Sequence, residues 1–385
     1  MKVAVLSHWG FQKLHGGNLR GYFLIRELLA KGHEVVLIVA DPADVADCRQ
    51  KFGTEVLCVE EPMSRWQPVK KKMVQYLVFG WKVKRLLDRS DFDAVFGINL
   101  IQALPAVFQR RAQSWVMYVD LWADFFYYDS TRNLLNALIS RVVRFAEFLT
   151  MRRADKLVMI TKTMADLAGP KIARKVSVIP DGADTEMFHP EVTPNRIRET
   201  YDLRQRPVFS YQGGVAAHEG LNLLCEAAPS VLEELPEAVF LIAGEGDFLP
   251  VCKALVKRLG VEEHFIFTGW LDYGEIPSVL AATDVTVVPM PDVRAAQPII
   301  SLKLLEGMAS GTLIVTNRLP GLSEVVDDSQ VIFTRAENPV QFGADLVRAY
   351  QLSPDEKEKL VSNALQVIRR LDWREVAKRD VAYYA

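Results

Sequence analysis

The sequence predicts an α/β protein of two doubly wound domains, each built on a parallel sheet. Short apolar segments alternate with longer segments of helical spacing along almost all of its 385 residues. This order of strand and helix is typical of parallel sheets that are covered by helices on both faces. The alternation pauses once, at 180–206, and then resumes, which indicates two domains rather than one.

The first half of the chain contains a series of candidate strands. Several are almost wholly apolar, as expected of strands that are buried on both faces. Between the first two, residues 17–31 place leucine and phenylalanine at helical spacing, and Gly32 is a common kind of helix end. The candidate strands are 2–7, 34–40, 55–59, 94–98, 115–119, 157–161 and 176–179.

The second half repeats the pattern after a segment that is rich in proline and charge. We interpret 184–206 as the linker, with a first domain at 1–183 and a second at 207–366. Two such domains that face each other across a cleft bind ligands at the carboxyl ends of their strands. The later candidate strands lie near 207–212, 238–243, 264–268, 284–288, 312–316 and 330–333.

Composition narrows the classes of function. The net charge of −2 gives no argument for nucleic-acid binding. The four cysteines form no C-x-x-C pair and the six histidines show no metal-ligand spacing, so we expect reduced thiols and no metal site. We find no signal peptide and no apolar segment long enough to cross a bilayer, and we expect a cytoplasmic protein, soluble or peripheral on a membrane.

The segment 298–316 has the pattern of a loop, a helix, a glycine turn and a strand. Lys303 and Glu306 are three residues apart and share one face of the helix. A helix N-terminus behind a loop attracts anions, and a carboxylate one turn further on can accept hydrogen bonds from a ribose diol. The alternative is a solvent-exposed ion pair of no functional meaning, and spacing alone leaves both interpretations open.

The segment 65–89 is basic and amphipathic. It holds eight lysines and arginines against one acid, Asp88, with aromatic and aliphatic residues at helical spacing. Such a helix suits an anionic membrane surface. The alternative is a solvated helix whose apolar stripe packs on the sheet.

Several motifs, in order along the chain, resemble those of GT-B glycosyltransferases, specifically the retaining group called family 4. The nearest match is Glu306-Gly307-Met308-Ala309-Ser310-Gly311, which resembles the donor-site helix of that family. Trp373 resembles an aromatic residue of the family's final helix. The other matching segments are His15-Gly16-Gly17, Lys31 to Val35, Val178 to Asp184 with Phe188 and Pro190, Gly213 to Leu224, Ile242 to Gly246, Thr268 to Trp270 and Ala282 to Val285.

The resemblance implies a GT-B fold, two Rossmann-like domains across a cleft, with a C-terminal helix at about 367–385 that crosses back to the first. It implies transfer of a sugar from a UDP- or GDP-sugar, with retention and with no cofactor or metal. Acceptors would be glycans, cell-envelope glycans or lipid-linked sugars at the inner face of the membrane. The donor-binding residues it implies are Gly16, Gly17, Gly213, Gly214, His218, Gly244, Gly269, Arg294, Pro298, Ile299, Ile300, Ser301 and Glu306.

The sequence departs from the family where the donor phosphates and sugar are usually held. Pro298 stands in place of the first glutamate of the family's E-x7-E element. The phosphate-binding Arg and Lys of the family are also missing, since Gly214 and Glu219 stand near where they are expected. Some other group must then compensate for the charge of the diphosphate. Candidates are Lys303, which we expect to be catalytic, Arg294, His218 and the backbone amides of 213–216 and 298–302.

Asp120 follows the candidate strand 115–119 and lies where the family often has a cleft residue. It would orient or deprotonate the acceptor hydroxyl. The alternative is a helix N-cap. Two rival functions also stay open: an inactive GT-B module that binds a glycan or a partner, and a nucleotide-sugar epimerase of related fold.

Overall fold

The computed structural model describes residues 1–8, 10, 11, 14, 16–61, 69–124, 134–334 and 338–385. They form two compact units. The first consists of Met1–Pro180 together with Trp373–Ala385, and the second of Asp181–Asp372.

The first unit is built on a 7-stranded parallel sheet in the order β3-β2-β1-β4-β5-β6-β7. The central strand β1 pairs with β2 and with β4, so that Val5 lies beside Leu37 on one side and Phe96 on the other. The strands are Lys2–Ser7 (β1), Glu34–Val39 (β2), Glu55–Cys58 (β3), Ala94–Ile98 (β4), Gln113–Tyr118 (β5), Lys156–Met159 (β6) and Val176–Val178 (β7).

Helices cover this sheet, and capping residues in the sequence determine where two of them begin or end. The Thr161 side chain accepts a hydrogen bond from the Met164 N–H at the start of one helix, and Gly53 ends another with a φ of 63°. The described helices are Gly16–Ala30, Ala43–Phe52, Val69–Leu87, Asn99–Phe108, Leu134–Arg153, Lys162–Ala168, Pro170–Ala173 and Trp373–Tyr384.

The last helix, Trp373–Tyr384, belongs to the first unit although it ends the chain. Its Asp380 is fully buried and accepts two hydrogen bonds, of 3.0 and 2.8 Å, from the Arg20 guanidinium. Tyr384 stacks on Trp115 with 5.4 Å between ring centroids. Buried charge pairing and aromatic packing therefore hold the C-terminus in this unit, as expected from the sequence.

The second unit has a 6-stranded parallel sheet in the order β10-β9-β8-β11-β12-β13. Its strands are Val208–Gln212 (β8), Val239–Ala243 (β9), Phe265–Phe267 (β10), Val285–Val288 (β11), Leu313–Asn317 (β12) and Ile332–Thr334 (β13). Its α-helices are Asn195–Thr200, Leu221–Glu234, Leu249–Arg258, Ile276–Ala281, Leu302–Ala309, Pro339–Gln351 and Pro354–Arg370.

The predicted strands all overlap observed ones, with ends that differ by at most two residues. The segment expected to be a linker between domains differs more from the observed structure. Residues 184–206 are part of the second unit, where Phe188, Ile197 and Leu203 are buried in its core. Proline and charge dominate that segment, but a few apolar anchors are enough to fix it. Likewise the break before the last helix lies at Asp372, later than the expected start at 367.

No helix among the described residues is both long enough and apolar enough to cross a membrane.

Candidate active site

The second unit has a switch point between β8 and β11. Strands are added outward in one direction from β8 and in the other from β11, so the connections leave the sheet on opposite faces. A crevice opens outside the carboxyl ends of two such strands and is where doubly wound sheets bind ligands. Gly213 and Gly214 follow β8 at this edge, and the loop 289–301 follows β11.

Glycine is required at two positions at or beside the loop that follows β8, because other atoms approach the backbone closely there. Gly213 has a φ of 115°, and a Cβ there would lie 2.8 Å from Cε of Lys303. A Cβ on Gly244 would lie 1.8 Å from the carbonyl oxygen of Gly213, whose N–H donates to Ala243 at 2.9 Å. Gly244 therefore allows close backbone packing against Gly213, at the start of the candidate phosphate-binding segment 213–216.

The helix Leu302–Ala309 begins beside this loop. Its N-cap, Ser301, is buried and makes no side-chain capping hydrogen bond, and the first turn contains no acidic residue. Amides at such a helix start, together with the helix dipole, favour an anion. Ile300 is buried, and the preceding loop is held by a hydrogen bond from the Gly321 N–H to the Gln297 carbonyl at 2.7 Å.

Glu306 lies one turn into this helix and is buried. Its Oε1 accepts a hydrogen bond of 2.9 Å from the hydroxyl of Tyr273, which packs against Phe188. Burial raises the pKa of Glu306 to about 7, while the Tyr273 hydrogen bond and the charge of Lys303 oppose that rise. Glu306 is thus a carboxyl group that can be protonated or ionised near neutral pH.

Lys303 pairs with Glu219 rather than with Glu306. Its Nζ lies 2.8 Å from Oε2 of Glu219 and 5.4 Å from the centroid of the Tyr211 ring. The side chains of Lys303 and Glu219 are only 14% and 16% exposed. Lys303 is therefore not part of a solvent-exposed ion pair with Glu306, which was the alternative interpretation. Its counter-ion in this structure is Glu219.

The other predicted donor residues lie in segments that follow β8, β10 and β11. His218 is beside Glu219, with 4.0 Å between Nε2 and Oε1. Arg294 and Ile299 belong to the loop after β11, as does the buried Pro298. Gly269 follows the edge strand β10 with a φ of 74°, and a Cβ there would lie 3.3 Å from Oε1 of Glu245. The centre is formed by the residues after β8 and β11, whereas Gly269 follows β10, two strands away from β8 in the sheet.

The first unit has a switch point of its own, between β1 and β4. Asn99 follows β4 with the uncommon φ of 54°. Its Oδ1 accepts the N–H groups of Val119 and Asp120 at 3.0 and 3.2 Å, and its Nδ2 donates to Oδ2 of Asp120 at 3.4 Å. Asn99, which sequence reasoning missed, therefore fixes the carboxylate of Asp120.

Glu147 is a second residue that sequence reasoning missed. It is buried, and its Oε1 accepts the N–H of Trp122 at 2.7 Å, two residues after Asp120. Burial raises its pKa to about 8. Gly16 and Gly17 also belong to this unit and are exposed at the start of the helix Gly16–Ala30; His15 lies outside the described residues.

Among the described residues, no group of three or more His, Cys, Asp or Glu side chains is arranged to hold a metal ion.

Comparison with known proteins identifies the class. Residues 16–187 match the family model described as Glycosyltransferase Family 4, and residues 206–351 match the model described as Glycosyl transferases group 1. In structure, Anabaena HepE in complex with UDP and glucose matches 99% of this chain and 98% of its own, with a TM-score of 0.73 and 15% identity. The two family models and the fold therefore define a glycosyltransferase of the GT-B class.

Within that class, the chain belongs to family 4 of the glycosyltransferases, also described as group 1. It is 31% identical to a GDP-mannose-dependent alpha-(1-6)-phosphatidylinositol monomannoside mannosyltransferase of Mycolicibacterium smegmatis, over 43% of this chain and 44% of the relative. It is 24% identical to the alpha-D-kanosaminyltransferase of Streptomyces kanamyceticus, over 60% of each. These matches span about half the length of the curated relatives.

Proposed function

We propose that the chain transfers a sugar from a UDP- or GDP-sugar to an acceptor hydroxyl, with retention at the anomeric carbon and without a metal ion. The observation that carries the proposal is the buried carboxyl of Glu306, held by Tyr273 one turn inside a helix whose N-terminus lies at the switch point of the second sheet. A relative of known structure was solved with UDP and glucose.

Each part of the donor has a matching group in this proposal. The Glu306 carboxylate accepts hydrogen bonds from the ribose diol. The backbone N–H groups of 213–216 and of the loop 298–302, in which Pro298 itself has none to donate, bind the diphosphate, and Lys303 stabilises the charge that grows on the departing phosphate. Arg294 is a further cation, and the ring of His218 a further hydrogen-bond donor, on the loops of this edge. Charge compensation by amides and side chains is why we propose a metal-independent reaction.

The acceptor belongs to the first unit in this proposal. Asp120 binds or orients the acceptor hydroxyl, because Asn99 holds its carboxylate in one place. In a retaining transfer of this fold, the leaving phosphate itself can take the proton of the incoming hydroxyl. Asp120 then positions the acceptor and need not act as a strong base.

The acceptor class we propose is a lipid-linked or cell-envelope glycan at the cytoplasmic face of a membrane. One relative is named for a phosphatidylinositol monomannoside acceptor, which supports this class. We also propose contact of the basic segment 65–89 with an anionic membrane. Residues 65–68 and the side chains of 69–74 lie outside the described part of the chain, so this proposal rests on the sequence of the segment.

One experiment separates the proposed reaction from its rivals. The full chain is incubated with UDP-glucose or GDP-mannose, with and without a membrane lipid extract, in the presence of EDTA, and products are analysed by NMR. We expect slow donor hydrolysis alone and a glycolipid with the donor's anomeric configuration when acceptor is present. A changed donor sugar without acceptor would indicate an epimerase, and nucleotide binding without any turnover would indicate an inactive module.

A further inference from the structure

The first unit carries an apolar groove between three of its helices. The helices Val69–Leu87 and Leu134–Arg153 form its walls, and Asn99–Phe108 lies between them as its floor. The groove has a volume of about 590 Å³, and nearly all of its lining is apolar. That volume is in the range of about 300–1,000 Å³ that small-molecule sites occupy.

Large apolar side chains stand exposed along both walls. Leu77 and Trp81, 67% and 57% exposed, line one side, and Val142, 61% exposed, lines the other; Phe145, 66% exposed on the same helix, is outside the lining itself. Leu77 and Trp81 are four residues apart, and Val142 and Phe145 three, so each pair shares one face of its helix. A continuous apolar surface of this kind on a folded chain is typical of a binding site.

The charge around the groove is positive on balance, although three of its cations are paired with acids of neighbouring segments: Lys82 with Glu61, Lys84 with Asp88 and Arg144 with Asp124. The helix Val69–Leu87 contains six basic residues and no acid, and Leu134–Arg153 contains four arginines and one acid, Glu147. Because burial raises the pKa of Glu147 to about 8, that carboxyl is mostly uncharged at neutral pH. The Arg85 guanidinium lies 4.6 Å from the centroid of the Trp81 ring, and Lys84 itself lines the groove.

One part of the groove lies near the residue that we assign to the acceptor. Trp122 lines the groove and contacts Tyr76, with 6.1 Å between ring centroids. The Trp122 N–H is fixed by Glu147, and Asp120 lies two residues earlier, in the loop just before the helical turn that Trp122 begins. A molecule in the groove would therefore reach the loop that carries Asp120.

We propose that this groove binds one hydrocarbon chain of an anionic lipid. A hydrocarbon chain has no hydrogen-bonding group to leave unsatisfied in an apolar lining, and the basic helices match a negative head group. Binding of this hydrocarbon chain does not depend on sugar transfer. Only its consequence, that the chain anchors a lipid-linked acceptor beside Asp120, rests on the proposed function.

The test uses the full chain and cis-parinaric acid, an anionic fatty acid that fluoresces in apolar surroundings, below its micelle-forming concentration. We expect saturable binding of one molecule, at least tenfold weakened by Gly80→Leu. Gly80 lines the groove, and a Cβ there meets nothing nearer than Pro105 Cδ at 3.9 Å, so the backbone accepts a side chain whose outer atoms then occupy space in the groove. Ala146→Met fills it from the other wall, and Val340→Leu, on an exposed helix of the second unit, is the control that should bind normally.

Two further arms exclude other occupants. Binding of the acid should weaken as salt rises, and binding of its uncharged methyl ester should be weaker and insensitive to salt. No saturable binding, or equal binding by wild type and both groove-filling variants, would overturn the proposal. So would phosphatidylglycerol vesicles that bind all variants alike while the monomeric acid binds none, or a wild-type dimer that Leu77→Asp dissociates. None of these results depends on turnover.

Discussion

Lys303 Nζ lies 2.8 Å from Oε2 of Glu219, and both side chains are largely shielded from solvent. The resemblance to family 4 predicts a phosphate-binding cation near position 219, whereas this chain has an acid there and a lysine opposite it. The pair is electrically neutral before a donor binds. A diphosphate that approaches Lys303 must therefore compete with Glu219 for the same ammonium group.

The first prediction concerns turnover. Lys303→Ala should lower kcat more than it raises KM, because the phosphate charge that Lys303 stabilises grows chiefly in the transition state. Lys303→Arg should restore turnover only in part, since a planar fork does not replace a point charge. Glu219→Gln should lower the donor KM several-fold by removing the competitor. Steady-state kinetics on all three variants check this, and normal turnover by Lys303→Ala would transfer the role to backbone amides, Arg294 or His218.

The second prediction concerns pH. Glu306 has a pKa of about 7 in the folded chain, and only its ionised form accepts both ribose hydroxyls. The affinity for UDP-glucose or GDP-mannose, whose phosphates do not titrate in this range, should rise about tenfold between pH 6 and pH 8. Glu306→Gln should bind more weakly and with little pH dependence. Parallel pH profiles for wild type and variant would contradict the assignment.

The third prediction separates positioning from structure at Tyr273. The Tyr273 hydroxyl stabilises the Glu306 carboxylate, so Tyr273→Phe should move the pH midpoint of donor binding upward and weaken binding at pH 7 by several-fold. The ring packing on Phe188 is kept, and affinity should recover at higher pH. Tyr22→Phe, which loses a surface contact to Arg26, is the control. A fall in melting temperature with an unmoved midpoint would mean that Tyr273 is structural only.

The fourth prediction concerns stability. The pKa of Glu147 is about 8 in the folded chain against 4.5 for an unperturbed glutamate. Between these two values the folded state keeps a proton that the unfolded state releases, so this carboxyl makes the free energy of unfolding fall as pH rises. Glu147→Gln should remove that loss and gain stability relative to wild type by about 1 kcal/mol or more from pH 5 to pH 8.

Urea unfolding at several pH values measures that difference, and Glu358→Gln on an exposed helix is the matched control. A stability difference between wild type and Glu147→Gln that stays constant with pH would show that Glu147 does not titrate in this window.

The local sequence pattern predicted the strands and helices. Contacts between residues far apart in the sequence could be found only in the folded structure. Apolar periodicity indicated the strands because burial on both faces imposes a continuous apolar run. The helix with Lys303 and Glu306 was found for the same reason, since three-residue spacing places both on one face. By contrast, Lys303 with Glu219, Asn99 with Asp120 and Arg20 with Asp380 are pairs that only the folded chain brings together. The local sequence did not indicate the burial of Glu147 either, because a single glutamate on a basic helix has the same pattern as a solvent-exposed glutamate.

We expect a nucleotide sugar to bind at the switch point of the second sheet through Glu306. Calorimetric titration of UDP- and GDP-sugars into wild type, Glu306→Ala and the surface control Glu358→Ala tests it most directly. Hydrogen bonds to a charged group contribute about 1.5–3 kcal/mol each, so Glu306→Ala should bind the preferred donor at least tenfold more weakly while its melting temperature changes little. Glu358→Ala should match wild type. Equal affinity in wild type and Glu306→Ala, or no nucleotide binding by the wild type, would contradict the account.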